Sequence, residues 1–283
     1  MAQNEIPLGD LDECVAFTNL RELSITFDGL IDEDPDEQLP HTLVELIRGA
    51  RNIESLCLSF EEDEERGAAP WGSIHLFSEL AADRFPNLRM LEIHSQYLVP
   101  IDNYSGPEFR QFIQNHSQLE KIRLLTDGYD GSVKLVNPPP LIVTPTDMEE
   151  MMPSIRHFAG PGLLIGTLLK SKLVKQIELL EFYEPAAIEL GCLCDVLPDL
   201  DSSTLPELPS LKGLGLFTSE MEGASAWKNM LNALSKLAMR TPMLQELHLC
   251  PTEKADQDEM DQLLKILDHL PHLRRLVAHV QGD

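Results

Sequence analysis

The sequence predicts an α/β fold in which a short parallel strand and a returning helix recur about nine times. Three observations predict it. The pattern L-x-x-L-x-L recurs along nearly the whole chain, its copies are a few tens of residues apart, and the stretches between them carry apolar residues at helical spacing. The copies are NLRELSI (Asn19 to Ile25), NIESLCL (Asn52 to Leu58), NLRMLEI (Asn87 to Ile93), QLEKIRL (Gln118 to Leu124), SIRHFAG (Ser154 to Gly160), LVKQIEL (Leu173 to Leu179), SLKGLGL (Ser210 to Leu216), MLQELHL (Met243 to Leu249) and HLRRLVA (His272 to Ala278). Their first apolar residues step by 33, 35, 31, 36, 19, 37, 33 and 29 residues. Such self-similarity marks one supersecondary unit stacked on itself.

Within a copy the apolar alternation has the period of a strand: Leu23 and Ile25 point one way, Glu22, Ser24 and Thr26 the other. Residues 1–18 form an N-terminal cap segment, with LDECVAF (Leu11 to Phe17) as a half-helix, and the solenoid runs over 19–283. Returning helices are predicted over 39–50, 73–85, 107–116, 146–152, 162–172, 185–197, 224–240 and 256–270. Pro107 behind Gly106 suits a first helical turn. Thr146 with Glu149 reads as a capping box. A Pro-rich insertion, 136–147, breaks the period as an extended connector. The step of 19 residues between the fifth and sixth copies predicts a short helix there.

Strand-helix units in series give parallel strands through right-handed crossovers. This is the leucine-rich-repeat solenoid, with a resemblance to the long-unit, ribonuclease-inhibitor-like horseshoe, here in about nine irregular repeats. The Asn or Cys usual three residues after the last apolar strand position is absent; Asp28, Glu61, Gln96, Asp127, Leu163, Phe182, Ser219, Thr252 and Gln281 stand there. Irregular loops are therefore expected. The stretch MPSIRHFAGPGLLIGTLLKSKLVKQIEL (Met152 to Leu179), with the openings F-P-N-L-R at Phe85 and L-P-S-L-K at Leu208, resembles the F-box and leucine-rich-repeat proteins of mushroom-forming fungi. That resemblance implies a substrate receptor of a cullin-based ubiquitin ligase. No F-box module is legible ahead of the first repeat, so the expectation is either a receptor lobe cut from a longer product or a stand-alone relative, in both cases without the ligase-docking part.

Composition narrows the function classes. The net charge of −25 argues against nucleic acid, which is bound through clustered Lys and Arg, and against anionic membranes. No apolar run approaches the roughly 20 residues of a membrane span, and the N-terminus does not read as a secretory signal. Five cysteines without framework spacing suit a reducing compartment, cytoplasmic or nuclear. Cys192 and Cys194, two apart on a predicted helix, face differently and read as buried thiols. Asp32, Asp34 and Asp36 alternate but lack the Gly and closing Glu of a calcium loop. No metal, cofactor or catalytic residue is expected. The best nucleophile set, Cys250 with His279, Glu246 and His248, lies on an open strand face that excludes water poorly.

The expected activity is protein binding on the concave side of the sheet. The outward strand positions there include Met90, Glu92, His94, Lys121, Arg123, Leu125, Phe217 and His248, with Gln176, Glu178 and Leu180 from the sixth copy. Mixed polar and apolar character suits a protein surface better than a phosphate. Acidic runs at 31–38, 61–65, 219–223 and 256–261 predict a rim that could hold a basic partner. The alternative is an enzyme regulator, since an acidic solenoid resembles the Ran-type GTPase-activating proteins in fold. Their exposed arginine-bearing loop has no counterpart in the sequence. The last strand ends close to Asp283 without a capping helix, so the expectation is either that the sequence is cut short there or that another chain covers that edge.

Overall fold

The computed structural model describes residues 17, 19–28, 41–61, 77–95, 106–126, 143–183, 206–217, 226–251 and 254–278. The cap predicted over 1–18 (apart from Phe17), the helix over 185–197, the Pro-rich residues 136–142 and three of the four acidic runs (apart from Glu61) lie outside them.

Nine strands form one parallel sheet in strict chain order. They are β1 (Glu22–Asp28), β2 (Ser55–Glu61), β3 (Met90–Ser95), β4 (Lys121–Thr126), β5 (His157–Gly160), β6 (Leu179–Tyr183), β7 (Gly213–Phe217), β8 (Glu246–Cys250) and β9 (Arg275–Ala278). The described helices of more than one turn are α1 (His41–Gly49), α2 (Pro107–Asn115), α3 (Pro145–Met151), α4 (Gly162–Leu169), α5 (Ala226–Ala238) and α6 (Gln257–Leu267). Residues 77–80 are helical as well. Sequential parallel order with crossovers of one hand puts the described helices on the same face of the sheet. Accordingly, inward strand residues such as Leu56, Leu58, Leu91 and Ile93 share one core with helix residues such as Val44, Ile47, Phe112 and Ile113.

The helices follow from their apolar stripes. In α5, Trp227, Met230, Leu231 and Leu234 recur at helical spacing and are all fully buried. α4 is apolar almost all round and has eight residues, in keeping with the short step read there. Gly106 is the N-cap of α2, with Pro107 in its first turn. α6 opens on a capping box between Asp256 and Glu259. The acidic run 256–261 is therefore a helix start, where carboxylates answer unpaired backbone N–H groups and the helix dipole.

Two local predictions are corrected. The capping box of α3 joins Thr144 to Asp147, not Thr146 to Glu149. Pro145 begins α3, so the insertion read as 136–147 gives its last three residues to a helix. Proline lacks an N–H that the first turn would leave unpaired in any case, which is why it starts the helix. Thr144→Ala is expected to cost about 1 kcal/mol in denaturant unfolding. Thr146→Ala should cost less than about 0.5 kcal/mol.

The larger correction concerns β6. The sequence LVKQIELLEFY contains the repeat pattern in two frames three residues apart. The frame starting at Ile177 forms the strand, and Lys172–Lys175 is a 3-10 turn. Leu180 pairs with Phe158 of β5 and Leu214 of β7 on the core side, and it is 2% exposed. It is thus not a surface residue. Leu179, Glu181 and Tyr183 take the outward places assigned to Gln176, Glu178 and Leu180. Phe182, read as a residue beyond its strand, is part of the core.

A row of charges precedes the strands. The residues just before β1 to β7 are Arg21, Glu54, Arg89, Glu120, Arg156, Glu178 and Lys212, followed by Gln245 and Arg274. Neighbours along the row pair: Arg21 with Glu54, Arg89 with Glu120, and Glu178 with both Arg156 (2.8 Å) and Lys212 (2.7 Å). Those two cations, Lys212 first, hold the Glu178 carboxyl below its ordinary value.

Candidate functional site

The sheet face opposite the helices carries the outward strand residues, which repeat about every 4.8 Å from strand to strand. Its centre is built by small residues. Ala159 of β5, Gly213 and Gly215 of β7 all point outward, yet each is buried. Larger neighbours lean across them. A Cβ on Gly213 would lie 2.5 Å from Leu179 Cδ1, and one on Gly215 2.7 Å from the Phe217 ring. A side chain at either place would have to displace that covering group.

Ala159 lets Arg123 of β4 reach over β5 to β6, a span of roughly 10 Å at two strand spacings. The Arg123 guanidinium donates to Glu92 on one side (3.0 Å), to Glu181 on the other (3.2 Å) and to the Tyr183 hydroxyl (3.3 Å). The side chain of Arg123 is 23% exposed, and those of Glu92 and Glu181 are each 16% exposed. Burial opposes the charge on Arg123, but Glu181 and Glu92 outweigh it and hold its pKa above the ordinary value. Burial, then Glu181, raises the Tyr183 phenol. The Tyr183 ring stacks on Phe217 with centroids 4.4 Å apart and planes within 3°. The result is a strip of side chains from four strands that spans β3 to β7, one cation held by two carboxylates beside an aromatic pair.

Around this strip the other predicted residues keep their places. Lys121 heads β4 next to His157, whose imidazole is held below its usual pKa by burial and then by Lys121. Met90, Glu92 and His94 alternate along β3, and His94 Nδ1 is 3.1 Å from the Ser59 hydroxyl. Leu125 follows Arg123 on the same face, half-buried. His248 faces outward on β8 beside Gly215, and its buried Nε2 has no protein partner. Thus eight of the nine predicted site residues share the face, and Leu180 does not. Sequence reasoning missed Glu181 and Tyr183 because it placed the sixth strand three residues early.

Cys57 and Cys250 are free thiols, and burial raises the Cys250 pKa, which lowers its thiolate fraction. His279, its suggested partner, and Cys192 and Cys194 lie outside the described residues, as do Asp32, Asp34 and Asp36. Among the described residues no group of three or more His, Cys, Asp or Glu is arranged to hold a metal ion. No described helix is long and apolar enough to cross a membrane.

Fold and face together define a parallel α/β repeat protein with one sheet surface clear of the described helices. No family model matches the chain, and no curated protein matches it.

Proposed function

We propose that the chain is a non-enzymatic interaction module of the leucine-rich-repeat type that binds a protein partner on the open sheet face. The observation that carries this reading is the strip from Glu92 through Arg123 and Glu181 to the Tyr183–Phe217 stack. Its side chains hold one another in place before any partner arrives, so little ordering entropy is left to lose on binding. Half-buried Met90, Leu125, Phe217 and Tyr183 flank charged groups in the way protein interfaces combine anchors with polar rims. The resemblance to fungal F-box receptors supports a ubiquitin-ligase substrate as that partner. The regulator alternative gains less support, because Arg123 is tied to two carboxylates and is not a free arginine to insert into a nucleotide site.

The test uses surface groups outside the Arg123 network. Lys121→Glu and Leu125→Asp are expected to reduce partner capture from host lysate at least tenfold, with the thermal midpoint lowered by no more than a few degrees. Met239→Asp, 74% exposed in the turn after α5, should leave capture intact. If the same proteins are captured equally by all three variants, the open face is not the binding site. Recovery of a cullin-ligase adaptor would support the ligase connection, and capture of a partner without it would count against that part.

A further inference from the structure

We infer that the joint between the segment before β3 and the end of α2 is a pH-sensitive latch operated by the imidazole of His116. His116 is fully buried between Phe112 and Phe85, with ring centroids 4.4 Å and 5.5 Å away. Both ring nitrogens are engaged. Nδ1 lies 2.6 Å from the Phe112 carbonyl, which can only accept, so Nδ1 carries the proton. The Phe85 backbone N–H donates to Nε2 at 2.9 Å, so Nε2 must be bare. The ring is therefore fixed as the neutral Nδ1–H tautomer.

The position is not one that calls for a titratable group. The corresponding residue in other units is Ala50, Phe85, Met152, Leu208, Thr241 or Leu270, each accepting through its carbonyl from the N–H three residues on. Where the Leu208 N–H needs an acceptor from the next unit, the Arg240 carbonyl supplies it. For Phe85 a titratable side chain supplies it instead. Two more side chains grip the same segment: Asn115 donates to the Ala81 carbonyl and Gln118 to the Phe85 carbonyl.

Protonation at Nε2 would set an N–H against the Phe85 N–H and place a charge among aromatic rings. Charged groups nearby do not rescue it. Burial is the first cause lowering the His116 pKa, Arg84 adds to it, and Asp83 opposes it. Asp83 is already bonded to Arg48 at 3.0 Å. On α2 itself the charged residues are Glu108 and Arg110, and Arg110 faces Asp147. The sign follows: an opened joint binds a proton at the ordinary histidine pKa of about 6.5, the closed joint only at a lower pH. Closure is favoured most above about pH 6.5 and weakens as pH falls towards the closed-state value, the opening equilibrium rising about fivefold over the first pH unit below 6.5 and approaching tenfold per unit after that.

The test is amide exchange of the intact chain, corrected for intrinsic rates, at pH 7.5, 6.5 and 5.5. The protection factor of the Phe85 amide is expected to fall about tenfold between pH 7.5 and 5.5, with about fivefold of that between pH 6.5 and 5.5. That of Leu249 in β8 should not change. His116→Gln should abolish the slope at Phe85. Nitrogen shifts of His116 should report Nδ1–H at pH 7.5. A pH-independent Phe85 amide, an equal slope at Leu249, or an Nε2–H tautomer would each overturn the latch. Should His116→Gln not fold, the three wild-type readouts still decide the matter.

Discussion

Leu180→Ala is expected to lower stability by about 2–4 kcal/mol, as deletion of a buried leucine does, read as a shift in the urea midpoint. Leu180→Asp should prevent folding of the array, because it buries a carboxylate among Phe158, Leu214 and other apolar core groups. Leu125→Ala, on the open face, should cost about 1 kcal/mol or less. These outcomes discriminate between the two frames of the sixth repeat. In the frame starting at Val174, Leu180 would lie on the surface and its substitution would be mild. A mild Leu180→Ala effect would therefore refute the register of β6 and, with it, the places of Glu181 and Tyr183.

The second large effect is expected at Arg123. Arg123→Ala leaves Glu92 and Glu181 facing each other, each largely shielded from water, and removes the donor to the Tyr183 hydroxyl. Loss of one partner from such a cluster costs about 3 kcal/mol when it is well buried, and the partial exposure here brings the expectation to roughly 2 kcal/mol. Glu181→Gln alone should cost less, since Glu92 still neutralises the guanidinium. In the double variant Arg123→Ala/Glu181→Gln the costs should fail to add by about 1 kcal/mol, because one variant removes the group that the other leaves uncompensated. Additive costs would show that the three side chains do not act as a unit. The same cluster is why Arg123→Glu is a poor probe of binding: it would gather three carboxylates in one shielded spot.

Much of this was readable from the chain. The strands β1 to β5 and β7 to β9 fall on the repeats because a period-two apolar alternation next to helical stripes leaves one face of each strand to bury. The open face was readable for the same reason, since Met90, Glu92 and His94 alternate with core residues Leu91 and Ile93. The sixth strand was misplaced because two overlapping frames satisfy the same apolar pattern, and apolar pattern alone does not rank them. A polar signal did. In the frame that folds, Glu178 continues the alternation Arg21, Glu54, Arg89, Glu120, Arg156. In the rejected frame Lys175 would sit between Arg156 and Lys212 and set three cations side by side. The capping box of α3 slipped by two residues because Thr144 and Thr146 both precede acidic residues three further on, and the helix start is set by Pro145. The reach of Arg123 over Ala159 was not legible, because it joins residues 58 apart in the chain through the absence of a side chain between them.

The charge row that precedes the strands also bears on how such an array assembles. Repeats are similar enough for a strand to pair with the wrong neighbour, and a hydrophobic pattern common to all of them cannot report the error. Sign can. If one unit were looped out and β1 met β3, Arg21 would face Arg89; if β2 met β4, Glu54 would face Glu120. Along the first seven units an odd number of steps attracts and a single skip repels. The alternation acts as a parity check on the order of the units, applied at the residue where each strand enters the sheet.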